Sequence, residues 1–386
     1  MEADENQQFM IENDVQVVDL KFTDLPFASN ELSHLYETDD LQRHDQVDDW
    51  VLIAPVSPEA SEIGESARGR LLLATVVESY LETFQKEILE PFSRGKSNPV
   101  DSEALAQINP TVGDIRGNTA KILEYVDRAR AARSDLFAFP ELSIPGYPPE
   151  DLLFKPSFLK ENLAAMQKVV QASQDIAVVV GYVSIEPDIS NAAALAYDGN
   201  HVDTYRKMYL PNYGVFDEDR YFRKGDACPV YIINGGRIGV GICEDIWYPV
   251  GPMAVQREAG AELIININAS PFHAGKGEQR EKMIATRAAD NELYVAYLNA
   301  VGGQDELVFD GASTVYDMSG KLVTRCSAFE EKLIVADLDI ESVFRSRLRD
   351  PRPRKENPNI LNEIGTGQLI HVSDAVSPVS YTHLRA

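Results

Sequence analysis

Apolar and polar positions follow different patterns on either side of residue 103 in this 386-residue chain. After that residue, short apolar runs alternate with amphipathic segments, which is typical of β–α units. Three apolar runs predict buried strands: LFAFP, IAVVVGYVSI and ELIININAS. Three segments with apolar residues at helical spacing predict helices: 111–135, 156–175 and 277–292.

Glycine-containing turns separate several pairs of apolar runs. They are DGN at 198–200, NGG at 234–236 and DMSGK at 317–321, and each predicts a β-hairpin. Hairpins join antiparallel strands, whereas β–α units join parallel ones. We therefore predict an α/β fold with mixed sheets, in which two sheets pack together and the helices lie outside.

Residues 1–100 have another character, with 21 acidic and 7 basic side chains. One segment, 67–89, has helical spacing, and no residue pattern there indicates chemistry. We interpret 1–100 as an acidic extension of unknown fold, which is either a small acidic domain or partly disordered, and foreign origin of this segment stays open. The main domain is predicted at 101–345, and the polar, proline-containing residues 346–386 are interpreted as a linker and a truncated tail.

The formal net charge of -25 argues against nucleic acid or an anionic membrane as a partner, because both would repel the chain. No apolar run approaches the roughly 18 residues of a membrane-spanning helix, and the acidic N-terminus does not resemble a secretory signal. The three cysteines are widely spaced, which favours a reducing, cytoplasmic location. With no HxH, HExxH or CxxC pattern, we expect no metal site.

Three predicted strand ends carry side chains that are capable of joint chemistry. Glu141 follows LFAFP, Lys207 ends an alternating run, and Cys243 ends the run GVGIC. Each alone is more typical of a turn residue, an exposed lysine or an inert buried cysteine. Together they supply a base, a cation for the thiolate or oxyanion, and a nucleophile. A sharp turn after Cys243 would expose the sulfur and present a backbone N–H group.

Longer stretches around these residues resemble a known family. The order Glu, Lys, Cys within FPELSIPGYPPEDLL, YRKMYLPNYGVFDEDRYF and GVGICEDIW resembles the nitrilase (carbon–nitrogen hydrolase) superfamily. LAQINPTVGDIRGN, INASPFHAGK and VGGQDELVFDGAS resemble one branch, the glutaminase domain of glutamine-dependent NAD synthetases. The resemblance covers roughly residues 104–350. It implies a four-layer α-β-β-α sandwich.

The resemblance also implies a mechanism, in which Cys243 is the nucleophile that forms a thioester with glutamine. Glu141 would be the general base and Lys207 the electrostatic partner. Positions implied to bind the substrate are Tyr213, Ser270, Lys276, Tyr147 and Glu244. An anion at Glu244 suits the α-ammonium group of glutamine, as Lys276 suits its α-carboxylate.

In such synthetases, the released ammonia serves the ATP-dependent amidation of nicotinic acid adenine dinucleotide. The resemblance implies no cofactor for the glutaminase domain, whereas ATP and Mg²⁺ would belong to a synthetase domain. Because no SGG string of that domain's phosphate loop occurs here, we expect truncation before it. A homo-oligomer is also expected. Two alternatives stay open: another amidase or carbamoyl hydrolase of the superfamily, or a non-catalytic fragment.

Overall fold

A computed structural model of the protein describes residues 102–349 and 364–374, and the predicted acidic extension at 1–100 lies outside them. The described strands are, in chain order, β1 (Ser102–Gln107), β2 (Leu136–Ala138), β3 (Ala177–Ser184), β4 (Ser190–Tyr197), β5 (Asn200–Arg206), β6 (Ala227–Ile233), β7 (Gly236–Ile242), β8 (Leu263–Asn268), β9 (Tyr294–Asn299), β10 (Val301–Gln304), β11 (Leu307–Asp310), β12 (Thr314–Tyr316), β13 (Leu322–Arg325), β14 (Lys332–Asp337) and β15 (Thr366–His371). The α-helices are α1 (Ile115–Ala131), α2 (Pro156–Gln171), α3 (Pro252–Glu258), α4 (Lys276–Asn291) and α5 (Glu341–Arg349).

The strands form two mixed sheets and a separate two-stranded ribbon. The first sheet has the order β14-β1-β2-β3-β4-β5, and the second has the order β13-β12-β9-β8-β7-β6-β15. Strands β1, β2 and β3 pair in parallel, as do β7, β8 and β9, because helices or loops return the chain between them. The predicted hairpins β4–β5, β6–β7 and β12–β13 pair antiparallel.

The two sheets pack face to face, with helices on both outer sides. Leu105 and Val179 of the first sheet share one apolar cluster with Val240 and Ile265 of the second. Helices α1 and α2 bury apolar side chains against the outer face of the first sheet, and α4 does so against the second. This arrangement confirms the predicted four-layer α-β-β-α sandwich.

The residues beyond 345 differ from the predicted linker. Helix α5 continues to Arg349, and β15 pairs in parallel with β6 at the edge of the second sheet. The side chains of β15 are mostly exposed, so backbone hydrogen bonds rather than apolar side chains define this strand. For that reason its sequence has no strand-like hydrophobic pattern.

Strand β1 begins with a carboxylate in an apolar place. Glu103 is 1% exposed, and its side chain points to the same inner face as that of Leu105. Both carboxylate oxygens are buried without a hydrogen-bond partner among the described residues. Burial raises the pKa of Glu103 from 4.5 to about 8.

Candidate active site

The three sequence-predicted side chains lie at ends of strands from both sheets. Glu141 follows β2 and Lys207 follows β5, both in the first sheet, whereas Cys243 follows β7 in the second. All three are buried, with exposed fractions of 1%, 0% and 5%. Two charged groups at such depth require partners, because an isolated buried charge costs several kcal/mol or more.

Glu141 is held by three hydrogen-bond donors. Lys207 Nζ donates to Glu141 Oε1 at 2.7 Å, and Asn191 Nδ2 donates to the same oxygen at 2.7 Å. The backbone N–H of Ala269, just beyond β8, donates to Oε2 at 2.9 Å. The carboxylate is therefore fixed between the two sheets.

Gly181 of β3 allows the Glu141 segment to approach the sheet closely. A Cβ atom at this position would lie 2.3 Å from the carbonyl oxygen of Pro140 and 2.4 Å from the backbone nitrogen of Leu142. Such distances are far inside van der Waals contact. The absence of a side chain at residue 181 thus sets the position of the Glu141 backbone.

A second carboxylate, which the sequence interpretation missed, contacts Lys207. Lys207 Nζ donates to Glu218 Oε1 at 2.7 Å, and the hydroxyl of Tyr147 donates to the same oxygen at 2.9 Å. Burial raises the pKa of Glu218 to about 7, while Lys207 acts to lower it. Glu218 lies in the acidic run DED, where no sequence signal distinguishes it from Asp217 or Asp219.

Lys207 remains a cation in this cluster. Burial lowers the pKa of its ammonium group, but Glu141 and Glu218 together raise that pKa well above its usual value. The two ion pairs therefore keep a positive charge at full burial, next to the end of β7 where Cys243 lies.

Cys243 lies on a sharp turn, and the residue is only 5% exposed, whereas an exposed sulfur was expected of such a turn. Its backbone φ is 44°, in the left-handed region, and a single turn of 3₁₀ helix, Cys243–Ile246, follows directly. A residue other than glycine in this conformation is strained, and such strain is frequent at a nucleophile that ends a strand.

The charges around Cys243 do not activate its thiol at rest. Burial raises the pKa of the thiol well above its usual value, and the carboxylates of Glu141, Glu218 and Glu244 raise it further. Lys207 alone lowers it, in the direction predicted from the sequence. The net shift of the thiol pKa is nevertheless upward, because burial and the carboxylates outweigh one ammonium group. The resting thiol is thus protonated, and its reaction requires a base.

Two of the predicted substrate positions, Tyr213 and Glu244, are hydrogen-bonded to each other, and a third, Lys276, lies near Trp247. The hydroxyl of Tyr213 donates to both oxygens of Glu244, at 2.9 and 3.0 Å. Lys276 Nζ lies 5.9 Å from the ring centre of Trp247. Burial lowers the pKa of Lys276, whereas the charges of Cys243 and Glu244 raise it.

The other two predicted substrate positions have different surroundings. The backbone N–H of Ser270 donates to Asn299 Oδ1 at 2.8 Å, and Ser270 is 2% exposed. The Tyr147 hydroxyl is engaged by Glu218, so Tyr147 belongs to the Glu141–Lys207 cluster rather than to the group around Tyr213.

Within residues 102–349 and 364–374, no group of three His, Cys, Asp or Glu side chains is arranged to hold a metal ion. The helices of this part of the chain are also too short or too polar to cross a membrane.

The sandwich fold and the three strand-end residues define a class of protein. Residues 104–347 match the carbon-nitrogen hydrolase family, and the chain belongs to that family. Among curated relatives, the glutamine-dependent NAD(+) synthetase of Aquifex aeolicus is 49% identical over 253 residues, which are 65% of this chain and 44% of the relative. The chain spans about half the length of the curated relatives that it matches.

Solved structures agree with this assignment. The glutamine-dependent NAD+ synthetase from Acinetobacter baumannii, in complex with ADP, is 38% identical and superposes with a TM-score of 0.61, covering 63% of this chain and 46% of the other. A mutant amidase of the nitrilase superfamily from Nesterenkonia has a TM-score of 0.58 at 24% identity. It covers 67% of this chain and 99% of its own, and it shows the fold alone.

Proposed function

We propose that residues 101–345 are a glutaminase domain, which hydrolyses L-glutamine and supplies ammonia to a glutamine-hydrolysing NAD+ synthase. The observation that carries this proposal is the fully buried Glu141–Lys207 ion pair at 2.7 Å beside Cys243. A base, a fixed cation and a thiol, brought together from three strand ends, are the groups that amide hydrolysis through a thioester requires. The relatives named as glutamine-dependent synthetases support glutamine as the amide.

The reaction begins when the sulfur of Cys243 attacks the side-chain amide carbon of glutamine. Glu141 accepts the thiol proton, which is necessary because the thiol is protonated at rest. The negative charge on the carbonyl oxygen is stabilised by the Lys207 ammonium group. Glu141 then returns the proton to the leaving nitrogen, and ammonia departs.

Water completes the cycle. Glu141 removes a proton from a water molecule, which attacks the thioester carbon. The C–S bond then breaks, and Glu141 returns the proton to the sulfur, which releases glutamate and restores the Cys243 thiol. The same carboxylate thus transfers a proton in both halves of the reaction. Its three donors keep one orientation throughout.

Glutamine carries an α-ammonium and an α-carboxylate group, and two charged residues of the proposed site match them. Glu244, oriented by Tyr213, binds the α-ammonium group, and Lys276 binds the α-carboxylate. Ser270 and Tyr147 complete the pocket around the side-chain amide. Because glutamine is a zwitterion, a pocket with one anion and one cation selects it over an uncharged amide.

The fate of ammonia is part of the proposal. We assign it to the ATP-dependent amidation of nicotinic acid adenine dinucleotide, a reaction whose ATP and Mg²⁺ belong to a synthetase domain. The glutaminase step itself uses the thiol, carboxylate and ammonium groups and requires no cofactor. The protein is expected to act in the cytoplasm as a homo-oligomer.

Glutamate release from L-glutamine by the purified chain tests the proposal. We expect Cys243→Ala to abolish release, since no other group in the cluster can form the thioester. Cys326→Ala is the matched control, because Cys326 is also buried and lies outside the cluster. Propionamide should be hydrolysed at least tenfold more slowly than glutamine. Release that persists in Cys243→Ala, or an equal preference for propionamide, contradicts this function.

A further inference from the structure

Asp245 connects the two backbone segments that carry Lys207 and Cys243. Its Oδ1 accepts hydrogen bonds from the backbone N–H groups of Met208 and Tyr209, at 3.1 and 2.9 Å. Its Oδ2 accepts from the backbone N–H of Ile242 at 3.0 Å and from the hydroxyl of Tyr205 at 2.7 Å. One buried carboxylate, 2% exposed, is thus bound by four donors.

The positions of these donors relate directly to the reacting groups. Met208 directly follows Lys207 at the end of β5, and Ile242 directly precedes Cys243 at the end of β7. The two strands belong to different sheets, so no ladder hydrogen bond fixes the distance between them. Asp245 supplies that link with polar contacts.

We infer that Asp245 is a positioning residue, which sets the distance and orientation between the Lys207 ammonium group and the Cys243 sulfur. The Asp245 clamp consists of Asp245 and the three backbone N–H groups of Met208, Tyr209 and Ile242. This inference rests on the proposed function and deepens it, because the distance between Lys207 and Cys243 matters only if both groups take part in the reaction.

The clamp also explains why the Asp245 carboxylate is buried close to the Cys243 turn. Burial raises the pKa of Asp245 to about 6, and hydrogen bonds from Tyr205, Tyr209 and Ile242 lower it, so the group is ionised at neutral pH. Four hydrogen-bond donors stabilise its negative charge. The carboxylates of Glu141, Glu218 and Glu244 raise the pKa of Cys243.

Asp245→Asn breaks the clamp on one side. The amide oxygen of the new side chain can still accept from Met208 and Tyr209. Its NH₂ group then faces the N–H of Ile242, so two donors oppose each other and the turn at Cys243 loses its anchor. A misplacement of about 1 Å at reacting atoms costs about 100-fold in rate.

We therefore expect Asp245→Asn to lower kcat for glutamate release about 10- to 100-fold, with KM changed by less than about threefold. Alkylation of Cys243 by iodoacetamide at neutral pH, followed by peptide mass spectrometry, should slow by a similar factor. Both rates are measured at 25 °C on protein whose circular dichroism spectrum matches that of the unaltered chain.

Tyr231→Phe is the matched control. Its hydroxyl donates to Asp203 at 2.9 Å, so the variant loses a tyrosine–aspartate hydrogen bond of the same kind in which Asp245 takes no part. We expect both rates to stay within about twofold. Equal losses of activity in Tyr231→Phe and Asp245→Asn, in proportion to lost thermal stability, indicate a merely structural role and overturn the inference.

The outcomes separate the clamp from the proposed function. Glutamate release and Cys243 alkylation that are both unchanged in Asp245→Asn overturn the clamp and leave the function intact. Absence of glutamate release from the unaltered chain, together with slower alkylation in Asp245→Asn, contradicts the function and supports the clamp. If Asp245→Asn does not fold, Asp245→Glu serves instead, because it keeps the charge but displaces both oxygens; full activity in that variant overturns the inference.

Discussion

At the scale of single residues, the balance between one ammonium group and several carboxylates governs ionisation of the Cys243 thiol. The Cys243 thiol lies near the carboxylates of Glu141 and Glu218, and Lys207 is the cation that acts against them. In the proposed reaction, Lys207 therefore has two tasks. It allows two carboxylates to be buried together, and it favours negative charge on the sulfur or on the substrate oxygen.

Replacement of Lys207 by methionine should affect both tasks. We expect Lys207→Met to lower glutamate release at least about 100-fold, as loss of an oxyanion donor does. The free energy of unfolding should fall by about 3–5 kcal/mol, because two buried carboxylates lose their shared partner. Urea unfolding followed by circular dichroism measures the second effect.

The loss of stability should be greater at pH 8 than at pH 6. The pKa of Glu218 is about 7 with Lys207 in place, and removal of the lysine takes away an influence that lowers it. At pH 6 Glu218 is then protonated, and less charge repulsion remains. Lys121→Met is the control: Lys121 pairs with Glu331 at 2.6 Å near the surface, where such a pair contributes at most about 1 kcal/mol. A Lys207→Met protein with full activity contradicts the assigned role.

At the scale of elements, strand ends and the turns after them place the reacting groups. The run LFAFP forms a strand of three residues, Leu136–Ala138, and the chain then passes over β3 at Gly181. That close approach orients Glu141 toward Lys207. The hairpin turns, in contrast, lie where local sequence rules alone place them.

A methyl group at position 181 tests this element. We expect Gly181→Ala to displace the Pro140–Leu142 segment, since its Cβ would lie 2.3 Å from a backbone oxygen. Glutamate release should fall about 10- to 100-fold, and the free energy of unfolding should fall by about 1–3 kcal/mol.

Gly277→Ala provides the comparison for this change. A Cβ atom at Gly277 meets nothing within 4 Å, so the same substitution there leaves kcat within about twofold. If the two variants have equal rates, the close approach at residue 181 does not position Glu141.

At the scale of the whole molecule, the site exists only where the two sheets meet. Glu141 and Lys207 come from one sheet and Cys243 from the other, so packing of the inner faces brings the chemistry together. The same inner faces contain Glu103, whose carboxylate has no hydrogen-bond partner among the described residues. Ionisation of Glu103 therefore lowers the free energy of unfolding of the two packed sheets.

The sign of this effect follows from the pKa of Glu103, which is 4.5 in its usual state and about 8 when folded. Below the lower value, both the folded and the unfolded chain hold the proton, and ionisation costs nothing. Between the two values only the unfolded chain releases it, so stability falls as pH rises. Above the higher value the full cost is present.

Glu103→Leu should therefore stabilise the protein, and more so in alkaline solution. We expect the free energy of unfolding to rise by on the order of 3 kcal/mol at pH 8 and by much less at pH 5. Urea unfolding of both proteins at both pH values gives the comparison, in which all other titrating groups are shared. An increase of equal size at the two pH values means that folding does not raise the pKa of Glu103, and it contradicts this prediction.

Much of this molecule follows from local sequence patterns. The alternation of apolar runs and amphipathic segments predicted the parallel strands and outer helices, and glycine turns predicted three hairpins. Glu141, Lys207 and Cys243 were proposed as reacting groups because side chains that are capable of joint chemistry stand at the ends of three such runs. In each case the signal lies within a few residues, where backbone sterics and hydrophobic period act.

Other features depend on contacts between distant residues. Glu218 and Asn191 are ordinary polar residues until the fold places them against Glu141 and Lys207. The net direction of the Cys243 pKa could not be derived from the sequence either, because burial and the sum of four nearby charges determine it. Strand β15 was missed because its pairing with β6 uses backbone groups, which every residue shares.

The sequence by itself determined the strands and helices, three hairpin pairings and the three side chains of the proposed reaction, because hydrophobic period and turn chemistry are local properties. The tertiary structure decided which carboxylates share Lys207, why the thiol is protonated at rest, and how Asp245 ties the turn at Cys243 to the lysine segment. Distances between groups far apart in the chain, and the loss of water around them, arise only when the sheets pack.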